Sequence, residues 1–254
     1  MSEFWLLTSL IVLFATIQSL FGIGLLVFGT PTLLLLGHPF DVTLGLLLPS
    51  SIAISTTQFF SGRAGVQLLK RQILVYSVPS IVIGLAVVLK GILVIDIKFA
   101  VGIVLFATAI IRHVEGIRVR VANLLKKKSR IYLVVMGLVH GVSNMGGGLL
   151  TTFVSTVFQD KETIRANIAY GYLVFALSQV IVLLALHPAV FTVQSLGFAV
   201  ISFVTYFTIG NTIFLNSSTE VYQHMLTAFI FVFGAILVGS SMDVVSSWIG
   251  CCRS

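Results

Sequence analysis

The run Gly141-Val142-Ser143-Asn144-Met145-Gly146-Gly147-Gly148-Leu149-Leu150 places four glycines, a hydroxyl and an amide inside an otherwise apolar segment. A helix opened at such a cluster exposes N–H and C=O groups that lipid cannot satisfy, so breaks of this kind belong where backbone lines a cavity. The freed N–H groups and the positive end of the helix that follows suit an anion. Ser143 and Asn144, beside the backbone of Gly146, Gly147 and Gly148, add side-chain donors for oxyanion oxygens. Three consecutive glycines exceed what close helix packing requires, although small residues serve that purpose too.

Few other polar groups lie deep in apolar sequence, and each needs a partner or a purpose. Gln18 stands one turn before a first glycine pair, Gly22 and Gly24, as His140 stands one turn before the second cluster. His140 is suited to donate to an anion or to exchange a proton near neutral pH; the alternative is a neutral imidazole hydrogen-bonded within a bundle. Gln58, Ser178 and Gln179 either converge on the same cavity or tie helices together. Arg165 and Asn167 open a later span, where Arg165 attracts an anion or snorkels to the interface. Asp243 falls near the end of the last span, where solvation accounts for it.

The absences are as informative. No Asp or Glu falls mid-span, so a carboxylate proton relay is missing. His38, His113, His140, His187 and His224 are scattered over different segments, and no nucleophile, metal-ligand set or P-loop accompanies them. Neither an enzyme nor a cofactor is expected. Cys251 and Cys252 are adjacent and build no disulfide framework.

These residues sit in a chain of 254 residues that is 57% apolar and 9% charged, with a mean hydropathy of +1.11. A water-soluble domain would carry extensive exposed apolar surface at that composition, so an integral membrane protein is expected. The net charge of +7 resides in short connections rather than on one basic face, which argues against nucleic acid and for positive-inside topology. The N-terminus has no basic region before its apolar run, so the first span is expected to be retained.

Apolar runs predict an all-α fold of about eight spans: 4–36, 42–60, 72–89, 97–111, 131–158, 164–186, 190–215 and 221–248. The first and fifth are overlong, about 50 Å and 42 Å as continuous helices against a hydrocarbon core of about 30 Å. Such a run must tilt steeply, break or turn back, and each contains a glycine cluster at which to do so. Residues 112–130 read as a basic cytoplasmic loop that divides a first repeat, 1–111, from a second, 131–254. Eight spans put eleven basic residues on the cytoplasmic side and Lys90, Lys98, Lys161 and Arg165 on the other, with both termini cytoplasmic.

An offset of 122 residues aligns Gly22-Ile23-Gly24-Leu25-Leu26 with Asn144-Met145-Gly146-Gly147-Gly148. Four spans per half would give both halves the same orientation, whereas an odd number of crossings would invert one. A Gly-x-Gly-Gly-Gly-apolar pattern once per half, a central basic segment and about 250 residues resemble the TauE/SafE family of sulfite exporters and toluene sulfonate uptake permeases. Asn144 stands where that family commonly has glycine. In the first copy Leu25 and Leu26 replace two glycines, and Pro31 keeps the proline that often follows the motif.

The resemblance implies a transporter of sulfite or organosulfur anions in the cell membrane. Export along the membrane potential needs no pump, since that potential supplies about 2.3 kcal/mol per charge per 100 mV. Candidate substrate-binding residues are therefore Gln18, Gly22, Gly24, Gln58, His140, Ser143, Asn144, Gly146, Gly147, Gly148, Arg165 and Gln179. The partners expected are a small anion and the lipid bilayer, with homodimerisation through small-residue faces left open. A non-transporting membrane scaffold and an anion channel remain the alternatives.

Overall fold

A computed structural model describes residues 3–61, 71–92, 114–158 and 160–222, with single positions between 103 and 110 and at 224 and 228. The fourth span expected at 97–111, most of the eighth at 221–248, Asp243 and both cysteines lie outside the described residues. Among those described the elements are helices: α1 (Glu3–Phe21), α2 (Leu25–Leu35), α3 (Phe40–Ser61), α4 (Ile73–Leu89), α5 (Glu115–Ser143), α6 (Gly146–Val157), α7 (Lys161–Leu186) and α8 (Val193–Asn216). Four of them, α1, α3, α7 and α8, are long and apolar enough to cross a membrane. The shorter apolar helices α2 and α4 accompany them.

Each glycine break turns the chain back on itself. Helix α1 ends at Gly22, whose φ of +73° is the left-handed conformation that glycine adopts freely, and the Gly22 N–H donates to Gln18 O at 2.8 Å. Asn144 ends α5 in the same way, with φ +62° and its N–H donating to His140 O at 2.7 Å. It is the one non-glycine with positive φ among the described residues, and asparagine is a side chain that tolerates this region. After the breaks, α2 runs back along α1 with Phe28 beside Phe14, ring centroids 6.5 Å apart. Helix α6 runs back along α5, where the Tyr132 hydroxyl donates to Leu149 O at 2.8 Å and the Tyr132 and Phe153 rings stack at 5.8 Å. The overlong apolar runs are therefore hairpins rather than single interrupted spans.

Named contacts fix the helix directions. Gln18 meets Ser51 and Ser55, while Leu7 shares a cavity wall with Val42 and Leu46, so α1 and α3 are parallel. Helix α7 is antiparallel to α3: His187 Nδ1 lies 2.7 Å from Asp41 Oδ2 at one end, and Tyr170 packs on Phe59 towards the other. The chain reverses at 36–39 into α3 and again between α6 and α7, so α1 and α5 run in opposite directions. Equal orientation of the two halves would make α1 and α5 parallel, and in the described residues they are not.

The same geometry gives the bundle two ends. Glu3 lies beside His38, Nε2 to Oε1 3.7 Å, at the end of the bundle that holds Asp41 and His187. Ser61, which ends α3, and Lys161 and Arg165, which open α7, lie towards the opposite end. The basic segment is helical from Glu115 instead of a loop, and departs from helical geometry at Lys128, φ −136° and ψ 43°.

Small residues bring α4 and α5 together in parallel. A Cβ on Gly137 would lie 2.5 Å from Ser77 O, and one on Gly141 2.5 Å from Ile81 O. The Ser77 hydroxyl donates to Leu133 O at 3.0 Å across this contact. Gly137→Val should separate the pair and lower the melting temperature in detergent, by an amount equivalent to about 1–3 kcal/mol. Gly197→Ala, where nothing lies within 4 Å of an added Cβ, should leave it unchanged or slightly raised.

Candidate functional site

The two breaks are built on one plan and finished differently. Gln18 and His140 are 122 residues apart, as are Gly22 and Asn144, Gly24 and Gly146, and Leu25 and Gly147. A Cβ on Gly24 would meet Phe14 O at 2.6 Å and Gln18 N at 2.5 Å; one on Gly146 would meet Met136 O at 2.8 Å and His140 Cβ at 2.5 Å. Phe14 and Met136 keep the same offset, so corresponding residues make corresponding close approaches.

At the first break side chains meet the freed backbone groups, and one buried atom there, Gln58 Oε1, has no partner. The Gln18 amide nitrogen donates to Ser51 O at 3.1 Å, Ser51 Oγ at 3.0 Å and Ser55 Oγ at 3.1 Å. Its carbonyl oxygen accepts the Leu25 N–H at 3.1 Å, which satisfies a donor freed by the turn. Gln58 Nε2 donates to Gln18 O and Ser19 O, both at 2.8 Å, and so covers the carbonyl end of α1. Arg165 reaches the same place from α7. Its guanidinium donates to Ser19 O and Asn211 Oδ1, each at 3.3 Å, and stacks over Phe214 at 3.3 Å from the ring centroid. Arg165 is buried and engaged in these contacts, so it neither snorkels nor faces the second break.

At the second break the inventory does not close. His140 Nε2 pairs with Gln179 Oε1 at 3.2 Å, and Asn144 Nδ2 donates to Thr30 Oγ1 of α2 at 2.7 Å. His140 Nδ1, Asn144 Oδ1, Tyr172 OH and Gln179 Nε2 have no hydrogen-bond partner, and all four residues are fully buried. Each such group costs about 1–3 kcal/mol while it is unpaired. No side chain caps α6, whose first three residues are Gly146, Gly147 and Gly148, so its leading N–H groups add donors to the same place. The Tyr172 hydroxyl oxygen lies 1.5 Å from where a Cβ on Gly147 would sit, so this position accepts no side chain while Tyr172 keeps its place. Phe175, 4.6 Å from the His140 ring, completes a dry wall.

The expected residues thus divide into two groups. Gln18, Gly22, Gly24, Gln58 and Arg165 gather at the first break, and His140, Asn144, Gly146, Gly147, Gly148 and Gln179 at the second. Ser143 adjoins the second group but is used locally, donating to Val139 O at 2.7 Å and accepting the Met145 N–H at 3.3 Å. Ser178 donates to Val174 O within its own helix. Tyr172 and Thr30 belong to the second group and escaped the sequence reading. The 122-residue offset carries no hint of either, because the tyrosine looks like ordinary apolar filling and the threonine lies in the other half.

No protein-family model, curated protein or solved structure matches this chain. The functional reading therefore rests on the residues themselves.

The asymmetry has a measurable consequence for stability. Gln18→Leu should orphan the Leu25 N–H and lower stability by about 1–3 kcal/mol, whereas Tyr172→Phe removes a hydroxyl that is already unpaired and should leave the melting temperature level or raised. Equal losses in the two variants would contradict the division into a closed and an open break.

Proposed function

We propose that this chain is a membrane transporter for a small oxyanion, with its substrate held at the second glycine break. The observation that carries the reading is the set of buried, unpartnered polar atoms around three uncapped glycine N–H groups. A solute with several oxygens converts those orphans into paired groups, which gives an apolar bundle a reason to keep them. The resemblance of the glycine motif to the TauE/SafE family supports sulfite or an organosulfonate as the substrate class.

In this reading the two halves form an inverted repeat, a design in which breaks near mid-depth face each other and one half rocks against the other. The opposed directions of α1 and α5 and the matched geometry at Gly22 and Asn144 support it. The closed first break acts as the fixed part, and the Asn144–Thr30 hydrogen bond couples the substrate-bearing hairpin to it. The membrane is the cell membrane. With the basic end of the bundle cytoplasmic, the Glu3 end faces outward. With Cys251 and Cys252 replaced by serine, a cysteine in place of His38 should react with an impermeant maleimide added to intact cells and one in place of Asp160 only after the membrane is opened; labelling of both in intact cells, or of residue 160 alone, would reject this orientation.

Binding is tested by thermal stabilisation of the purified protein in detergent with sulfite, methanesulfonate, sulfate and chloride. Sulfite should raise the melting temperature saturably, by mass action on the folded state. Tyr172→Phe should weaken that binding by about tenfold to a hundredfold, the worth of one hydrogen bond to a charged group. If no anion stabilises the native protein, the second break is only a packing motif and the scaffold reading takes its place.

A further inference from the structure

We infer that the second break takes its oxyanion in a monoprotonated form, with the substrate's own O–H donated to His140 Nδ1, so that a proton travels on the substrate. This rests on the reading of the second break as the substrate site and specifies what that site recognises. The starting point is which of its orphans are donors and which are acceptors. Gln179 Oε1 can only accept, so His140 Nε2, 3.2 Å away, carries the ring proton and donates it. In the neutral imidazole Nδ1 is then a bare acceptor, fully buried and unpartnered. Asn144 uses its Nδ2 on Thr30, which leaves Oδ1 as a second unpartnered acceptor. The donors are Tyr172 OH, Gln179 Nε2 and the leading glycine N–H groups of α6.

A fully deprotonated oxyanion matches only half of this set. Its oxygens pair with the tyrosine, the amide and the backbone, yet they offer nothing to Nδ1 and bring negative charge against two lone pairs in a low-dielectric site. An anion with one protonated oxygen matches both halves, with acceptor oxygens for the donors and one O–H for Nδ1. The surroundings do not supply that proton. Helices α2 and α6 contain no titratable residue, the one on α4 is Tyr76, whose ring lies under the Arg130 guanidinium at 5.8 Å, and the titratable side chain of α7 that faces His140 is Tyr172, with ring centroids 6.5 Å apart. The proton balance is simple: the O–H stays bonded to the substrate, nothing is transferred to the protein, and each transport event moves one anion and one proton together. The absence of acidic residues mid-span in the sequence then needs no substitute relay.

The test uses the intact purified protein and measures affinity by thermal stabilisation against pH for three probes: sulfite, whose monoprotonated form in its oxygen-protonated state carries the O–H; methanesulfonate, a monoanion with three oxygens on sulfur and no O–H; and sulfate, a dianion. The apparent affinity for sulfite should fall about tenfold per pH unit above sulfite's own ionisation, following the monoprotonated fraction. Methanesulfonate should bind at least about tenfold more weakly and without that pH dependence, the loss expected for one unmade hydrogen bond at a buried acceptor. In His140→Phe the preference for sulfite over methanesulfonate should disappear. Equal, pH-independent binding of sulfite and methanesulfonate, or sulfite binding that tightens as it deprotonates, would overturn the inference and leave the second break standing as an anion site. Failure of every probe at every pH would overturn both.

Discussion

A backbone that reverses inside an apolar bundle must find partners for its freed N–H and C=O groups, and the rest of this structure follows from how it does so. Water is not at hand, and each neglected group costs more than a surface hydrogen bond contributes. The first reversal is answered by side chains as well as backbone: the Gly22 N–H returns to Gln18 O, Gln18 bridges the Leu25 N–H to two serines of α3, and Gln58 covers the last carbonyls of α1. The second reversal repeats the backbone path but places an imidazole where the first has an amide. His140 turns to Gln179, and the donors of the glycine turn go unanswered by any capping side chain. One break is a joint and the other is a vacancy of hydrogen-bonding capacity.

That difference sits within a frame of opposed helices. Because each break sends the chain back, α2 and α6 are legs of hairpins, and α5 points against α1. The arrangement brings the tip of the second hairpin onto α2, where Asn144 and Thr30 meet across the two halves. Close approaches at Gly137 and Gly141 hold α4 on α5, and Ser19 packs on α8 at Gly210. Contacts at these places are made by small side chains, which suit close approach of helix backbones better than interlocked large ones.

The positions of the two breaks were legible in the sequence, and the chain path was not. Glycine clusters in apolar runs, and the matched spacing of Gln18 and His140, pointed directly to the breaks, because a backbone opening and a polar group in lipid are both hard to hide. Length alone cannot tell a broken span from a hairpin: 33 residues from Phe4 to Leu36 fit either. That ambiguity decided the relative direction of α1 and α5 and the end of the bundle at which α7 begins. Arg165 looked like a free cation near the interface, yet Ser19, Asn211 and Phe214, distant in sequence, enclose it. Tyr172 was invisible for the opposite reason: its value to the site lies in a hydroxyl that meets Gly147 only after α6 has folded back against α7.

The central claim is that a small oxyanion occupies the second break and not the first. The most direct measurement is a crystal structure of the protein grown with selenite, a sulfite analogue whose selenium scatters anomalously. The account predicts one anomalous peak within hydrogen-bonding reach of the Tyr172 hydroxyl, Gln179 Nε2 and the Gly147 backbone, with the tyrosine displaced to admit it. A peak beside Gln18, or none in the bundle at saturating selenite, would contradict it.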